Sequence, residues 1–311
     1  MAEADRTWRV ASVGECMIEM QETESDVLRR TFGGDTLNTA VYLKRSFDAA
    51  SRPSDVAYVT ALGTDPFSDD MMAGWRGLGV DTSAVRRIEG RLPGLYWIRV
   101  DEAGERTFYY WRNEAAVRSV FEGEEGQALA ARLPSYDLVY VSGITLAVLT
   151  DASRTVLLEA LSGVRAAGGR IAFDTNHRPR LWASREMARR CQSDMLALTD
   201  FALVTYDDER SLYGDADAGV TVTRLQAAGV PEIAVKRGGE PCLVSTEGGI
   251  VEVPVPPVAR VVDTTAAGDS FNAGYLAARL AGADPIAAAK AGHALAGRVV
   301  GHKGAIIPED A

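Results

Sequence analysis

The stretch VVDTTAAGDSFNAGYLAARLAG, residues 261–282, changes character halfway. An apolar run reads as a buried strand, small and hydroxyl residues follow as far as Gly268-Asp269, and apolar residues then recur at helical spacing. Thr264 to Gly268 carry little side-chain bulk, so a ligand can approach the backbone closely. A helix beginning near Asp269 would direct its unpaired N–H groups at that ligand. The segment therefore predicts an anion site at Ala266, Ala267 and Gly268 with a carboxylate beside it. Such N–H groups stabilise charge on a phosphoryl group in flight, and Asp269 can accept the proton of an attacking hydroxyl. A helix N-terminus favours the ionised carboxylate, so Asp269 is expected to be a weak base. Phosphoryl transfer tolerates that weakness, because it depends mainly on positioning and electrostatics. An isolated Gly-Asp before a helix would read as a simple N-cap; the longer string favours the anion site.

Outward from this segment, short apolar runs rich in β-branched residues occur at 55–63, 137–143, 170–176, 201–205 and 232–238. They read as strands buried on both faces. Helix-like segments lie at 37–47, 153–168, 184–198 and 219–229. This alternation predicts a single three-layer α/β domain over residues 1–311 with a mostly parallel central sheet. Residues 94–112, GLYWIRVDEAGERTFYYWR, break the rhythm: two aromatic-rich arms flank a Gly-containing turn at 101–105, which predicts a hairpin. With a strand at about 15–22 it would form a small projecting sheet that covers a site or pairs with another subunit, since a lone hairpin is marginal in water.

Composition narrows the partners. The 311 residues are 47% hydrophobic, and 43 acidic residues against 33 basic ones give a net charge of −10. Nucleic-acid affinity depends on basic patches, so a general polyanion binder is disfavoured. A small molecule or another copy of the chain is the expected partner. No run approaches the ~18 apolar residues of a membrane helix, and MAEADRTWRV lacks a signal-peptide core, so a cytoplasmic location without membrane partners is expected. Cys16, Cys191 and Cys242 lack metal-type spacing and read as free thiols. After the first strand the chain reads Val13-Gly14-Glu15-Cys16-Met17, without the Gly-x-Gly-x-x-Gly of a dinucleotide fold.

A second candidate site is FGGDTLNTAVYLKR, residues 32–45. Gly33-Gly34 permits close backbone approach, and Asp35 and Asn38 fall on one side of a first helical turn, facing sugar hydroxyls. Asp35 reads equally as a helix cap or a substrate contact. Lys236-Arg237-Gly238-Gly239-Glu240 follows a predicted strand and reads either as a phosphate-side loop or as a solvated turn.

Together these segments resemble the ribokinase-like, or PfkB, carbohydrate kinases. The family's Gly-Gly-x-x-x-Asn-x-Ala motif is matched by Gly33, Gly34, Asn38 and Ala40, and its Asp-Thr-x-Gly-Ala-Gly-Asp motif by DTTAAGD. The resemblance spans essentially the whole chain. More narrowly, GECMIEM, LPGLYWI, ERTFYYWRNEAA and DTNHRPRLW are similar to the family's branch acting on 2-keto-3-deoxygluconate.

The resemblance implies a ribokinase-like fold with a β-sheet lid, and ATP-dependent, Mg²⁺-requiring phosphorylation of the 6-hydroxyl of a 2-keto-3-deoxy sugar acid. It implies substrate contacts from Gly34, Asp35, Asn38 and Asp269. Arg112 is the expected partner of the acid's carboxylate, Tyr96 and Tyr110 offer a flat face with a hydroxyl tip, and Arg178 serves either the carboxylate or the phosphates. On the nucleotide side it implies Asn176, Arg178, Lys236, Gly238, Gly239, Ala266, Gly268 and His293; His177 shares the Asn176 loop.

Two departures stand out. Ala266 replaces the motif's first glycine, which is tolerable if its φ is negative. The family's Asn-x-x-Glu motif appears as Tyr206-Asp207-Asp208-Glu209, leaving Glu209 as an outer-shell metal residue. Direct Mg²⁺ ligands are then expected mostly from ATP phosphates and water. A homo-oligomer through the lid sheet is expected, while the monovalent cation used by parts of the family is left open. Two alternatives also remain open: a neutral-sugar kinase of the same family, and a catalytically silent sensor on the same fold.

Overall fold

The computed structural model describes residues 6–24, 27–100 and 106–309. Its strands are β1 (Trp8–Val13), β2 (Met17–Glu24), β3 (Val27–Gly33), β4 (Ser54–Leu62), β5 (Val85–Arg87), β6 (Leu95–Val100) and β7 (Arg106–Trp111). They continue as β8 (Leu138–Ser142), β9 (Arg170–Asp174), β10 (Phe201–Thr205), β11 (Glu232–Arg237), β12 (Glu240–Thr246) and β13 (Gly249–Val253). The α-helices are α1 (Asp35–Ala49), α2 (Pro66–Gly77), α3 (Gly123–Ala130), α4 (Gly143–Val148) and α5 (Asp151–Ala166). After them come α6 (Arg185–Leu196), α7 (Tyr206–Tyr213), α8 (Ala218–Ala227), α9 (Ala267–Leu280) and α10 (Pro285–Val300).

The central sheet runs β13-β12-β11-β10-β9-β8-β1-β4-β5. Every pairing from β11 to β5 is parallel, and only the β12 and β13 edge is antiparallel. Period-two alternation explains the layers. In β8, Leu138 and Tyr140 enter the core beneath α1, α9 and α10, while Val139 and Val141 enter the one beneath α5, α6 and α8. All of β8 is buried, as a strand covered on both faces must be. In α5 the fully buried Leu157, Leu161 and Val164 follow helical spacing, each stabilising the fold by roughly 1.5–3 kcal/mol. The expected three-layer α/β architecture is therefore present. Among the described residues no helix is long and apolar enough to cross a membrane.

The projecting sheet has the order β3-β2-β6-β7. The β6–β7 hairpin pairs Tyr96 with Tyr110 and Trp97 with Tyr109; its predicted turn at 101–105 lies outside the described residues. The sheet has a strand the sequence reading missed. β3, VLRRTFG, pairs antiparallel with β2, but exposure of its first residues leaves it without an apolar run. It delivers the chain directly into α1, so lid and helix are mechanically continuous.

The apolar run before the anion segment is not a strand. Val261 and Val262 are 59% and 45% exposed. Pro254, Pro256 and Pro257 remove the donors a sheet ladder needs, and β13 stops at Val253. Two backbone bonds, from the Val262 N–H at 2.8 Å and the Asp263 N–H at 3.3 Å, both accepted by Val300 O, tie this loop to the end of α10.

Candidate active site

The carboxyl ends of β1, β8, β9 and β11 point to one side of the sheet, where ligand sites of parallel α/β folds lie. There two segments 231 positions apart meet: Asn38 Nδ2 donates to Asp269 Oδ2 at 2.9 Å. Gly34 makes this approach possible. A Cβ on it would lie 2.3 Å from the Glu15 carbonyl oxygen, so a side chain would push α1 away from the chain beyond β1. Gly34 is also the cap of α1, which makes Asp35 the first helical residue and removes the capping reading. Asp35 Oδ2 accepts from Asn176 Nδ2 at 2.8 Å, which places Asn176 against the first turn of α1 as well as beside the β9 end.

Ala266 caps α9 in the left-handed conformation, with φ +60°. The expectation of a negative φ is thus overturned. A left-handed residue directly before helical ones turns successive N–H groups to one side, forming an anion-binding concavity. For a residue with a Cβ this costs about 1–2 kcal/mol. Ala266→Gly should remove that cost against about 0.5–1 kcal/mol of added chain entropy, raising Tm by up to about 2 °C in scanning calorimetry.

Asp269 stays partly exposed. Burial of its carboxyl first, and the negative charge of Asp35 second, push its pKa up to about 7; Asp174 adds to this, and Asn38 and Lys236 oppose it. Burial, with the neighbouring carboxylates second, therefore outweighs the helix N-terminus, and the weak-base expectation is reversed. Asp35 is raised too, by burial and then by Asp174, against hydrogen bonds from Ser142 and the Thr36 N–H.

Lys236 belongs to β11 and not to the following loop. Its Nζ donates to Asp174 Oδ2 at 2.7 Å and to Asn272 Oδ1 at 2.9 Å. A Cβ on Gly268 would lie 3.4 Å from that Nζ, so the ammonium abuts the anion loop. Asp174 and Asn272 escaped the sequence reading. Their signals were a strand's carboxyl end and a position three residues after Asp269, on the same helix face. Gly238 and Gly239 form the two-residue turn between β11 and β12, with open space around both.

The other predicted residues are distributed around this group. Arg178, with half its side chain exposed, reaches Asp208 at 3.3 Å. His177 is buried, and burial lowers its pKa. His293 is buried on α10 with its ring edge-on to Phe271 at 5.0 Å, and burial lowers its pKa as well. Glu209 is wholly buried, and burial pushes its pKa up to about 7. Thr175 Oγ1 donates to one of its oxygens and Arg224 Nη2 to the other at 2.6 Å, so both are engaged. Among the described residues no group of three His, Cys, Asp or Glu side chains is arranged to hold a metal ion.

On the lid, Tyr96 donates its hydroxyl to Glu19, which also accepts from Thr31 at 2.9 Å. Tyr110 lies beside Tyr96 with ring centroids 5.9 Å apart and is half exposed. Arg112 is buried and paired with the buried Glu15, so the expected free guanidinium already has one carboxylate partner. Burial raises the Glu15 pKa and Arg112 opposes it. Between lid and body lies a cleft of about 620 Å³, lined by Tyr96, Ile98 and Phe108 above and by Asp263, Thr265 and Ala305 below.

Residues 8–311 match the family described as pfkB family carbohydrate kinase, and the chain belongs to that family. Its similarity to curated relatives runs nearly end to end. It is 52% identical over 306 residues to 2-dehydro-3-deoxygluconokinase of Escherichia coli (strain K12), covering 97% of this chain and 98% of the relative. It is 51% identical over 308 residues to the enzyme of the same name from Dickeya dadantii, covering 98% of each. Among solved structures, 2-dehydro-3-deoxygluconokinase from Thermotoga maritima has a TM-score of 0.81 at 20% identity, covering 98% of this chain and 96% of that one, and thus shares the fold.

Proposed function

We propose that the protein is an ATP-dependent sugar-acid kinase that phosphorylates the 6-hydroxyl of 2-dehydro-3-deoxy-D-gluconate. The observation that carries this reading is the meeting of Asn38 and Asp269 beside an anion loop underlain by Lys236. The names of the relatives at 51–52% identity support the acceptor.

In this reading the acceptor hydroxyl lies between Asp269 and the loop. Asp269, oriented by Asn38, takes its proton. The N–H groups of Ala266 to Gly268 and the Lys236 ammonium stabilise the charge of the phosphoryl group in transit. The cradle against Lys236 suits the phosphates of ATP, and a Mg²⁺ ion entering on those phosphates would neutralise part of their charge. Gly34, Asp35 and Asn38 bind the sugar, Tyr96 and Tyr110 cover it, Arg112 receives its carboxylate, and Arg178 receives either the carboxylate or the phosphates.

The test is ADP release with MgATP across 2-keto-3-deoxygluconate, its galactonate epimer, gluconate, fructose and ribose, with Asp269→Asn as blank. Selective turnover of the keto-deoxy acids supports the reading, and turnover of a neutral sugar alone overturns the acceptor. A pH dependence follows as well. Only ionised Asp269 accepts a proton, so kcat should rise with pH through about 7 and fall about tenfold per unit below it.

The lid also supports self-association. On β7, an edge strand, Tyr109 and Trp111 are 42% and 59% exposed, and Leu28 of β3 is 48% exposed. Exposed apolar edges are rarely left uncovered. A second copy is the proposed cover. Trp111→Asp should shift the mass in sedimentation equilibrium toward the 33.3 kDa monomer, and an unchanged mass would remove this surface from the interface.

A further inference from the structure

Lysine is almost never buried unless paired, yet Lys236 is only 7% exposed. An ammonium has three N–H donors. Asp174 and Asn272 take two, and the backbone of the anion loop at Gly268 lies against the same nitrogen. The anchors are themselves held. Asn272 Nδ2 donates to the same Asp174 oxygen at 2.7 Å and to the Tyr140 hydroxyl at 3.0 Å. The other Asp174 oxygen accepts the Asn176 N–H at 3.2 Å. Thus β8, β9, β11 and α9 converge on a single positive charge.

A buried ion pair is weak evidence for stability, because apolar residues of similar volume often do as well. A charge kept beneath an anion loop and beside Asp269 suits a different purpose. We propose that Asp174 and Asn272 are positioning residues that hold Lys236 against the anion loop, so that its charge lies on the phosphoryl group during transfer. This rests on the phosphoryl-transfer reading above. The acceptor oxygen forms its bond to phosphorus as the bond to the nucleoside diphosphate breaks. The acceptor's proton goes to Asp269, and Lys236 keeps its own proton throughout.

The test compares Asp174→Asn, Lys236→Met and the milder Asn272→Ser with wild type in kcat, KM, pH profile and calorimetric affinity for MgATP. Lys236→Met and Asp174→Asn should each lower kcat about 100-fold and change the acceptor KM by less than about threefold. Asn272→Ser should lower kcat about tenfold. Lys236→Met should weaken MgATP binding about tenfold, a readout that needs no turnover.

The pH profile reads which charges reach Asp269. Asp269 faces Asp35 and Asn38 on α1, Asp174 at the end of β9 and Lys236 on β11, with Tyr42 and Tyr140 also in its field. Losing the Asp174 charge should move the acidic limb to lower pH, and losing the Lys236 charge should move it higher. Those shifts follow from charge alone, so kcat and MgATP affinity carry the distinction between positioning and scaffolding: a scaffold role would lower neither in a folded variant.

Turnover within threefold of wild type in Asp174→Asn or Lys236→Met, or limbs moving the same way, overturns the proposal. If Asp174→Asn fails to fold by circular dichroism, Lys236→Met and Asn272→Ser decide it. Wild type active only on a neutral sugar sinks the acceptor assignment, and the variants measured on that sugar still judge this proposal. Wild type silent on every acceptor overturns both.

Discussion

Asp269→Asn should lower kcat by about 10²–10⁴-fold, the usual contribution of a positioned proton acceptor. The amide keeps the volume of the carboxylate and retains an oxygen that can accept the 2.9 Å bond from Asn38. Folding should therefore survive, and calorimetric binding of MgATP should remain. Folding should even improve slightly near neutral pH. A carboxyl whose folded pKa is raised to about 7 contributes stability that is full below its ordinary value of 3.8 and lost as pH rises to about 7. The amide lacks that loss. Near-normal turnover in a folded variant would reject Asp269 as the proton acceptor.

Arg112→Ala should have two separable effects. Removing one partner of a buried pair leaves Glu15 uncompensated and should cost about 3–5 kcal/mol at neutral pH, read from urea denaturation. The sign with pH follows from Glu15, whose folded pKa is already raised by burial from 4.5 and loses the opposing charge of Arg112. Its contribution is favourable below about 4.5 and lost as pH rises through the folded value, so the deficit should shrink on acidification. The second effect is on the acceptor. Losing charge-assisted bonds worth about 1.5–3 kcal/mol should raise the KM of a sugar acid about 10- to 150-fold and leave that of a neutral sugar nearly unchanged. The double variant Glu15→Gln/Arg112→Ala separates the two. It should recover much of the stability, since both partners are now uncharged, and keep the raised KM. A KM recovering together with stability would make Arg112 a purely structural residue.

Much of the architecture was legible in residue order. Strand and helix periodicity is local, and β10 was read at its observed limits, 201–205. β3 was missed because its side chains are mostly exposed, so alternation left no apolar trace. The residues at 261–262 failed for the opposite reason: apolar side chains there lie on an exposed loop that prolines keep out of the sheet.

By itself the sequence determined the alternation of strands and helices, the two glycine-rich turns, and the carboxylate at the start of α9, because each depends on spacing within one segment. Only the tertiary structure decided which charges meet. The Lys236–Asp174, Asn272–Asp174 and Arg112–Glu15 contacts join residues 62, 98 and 97 positions apart. Whether they touch depends on the register of parallel strands and on where α9 and the lid dock, which no local pattern encodes. The raised pKa of Asp269 has the same origin. Its helix terminus argues for an ionised carboxylate, and burial beside Asp35 and Asp174 argues more strongly against one.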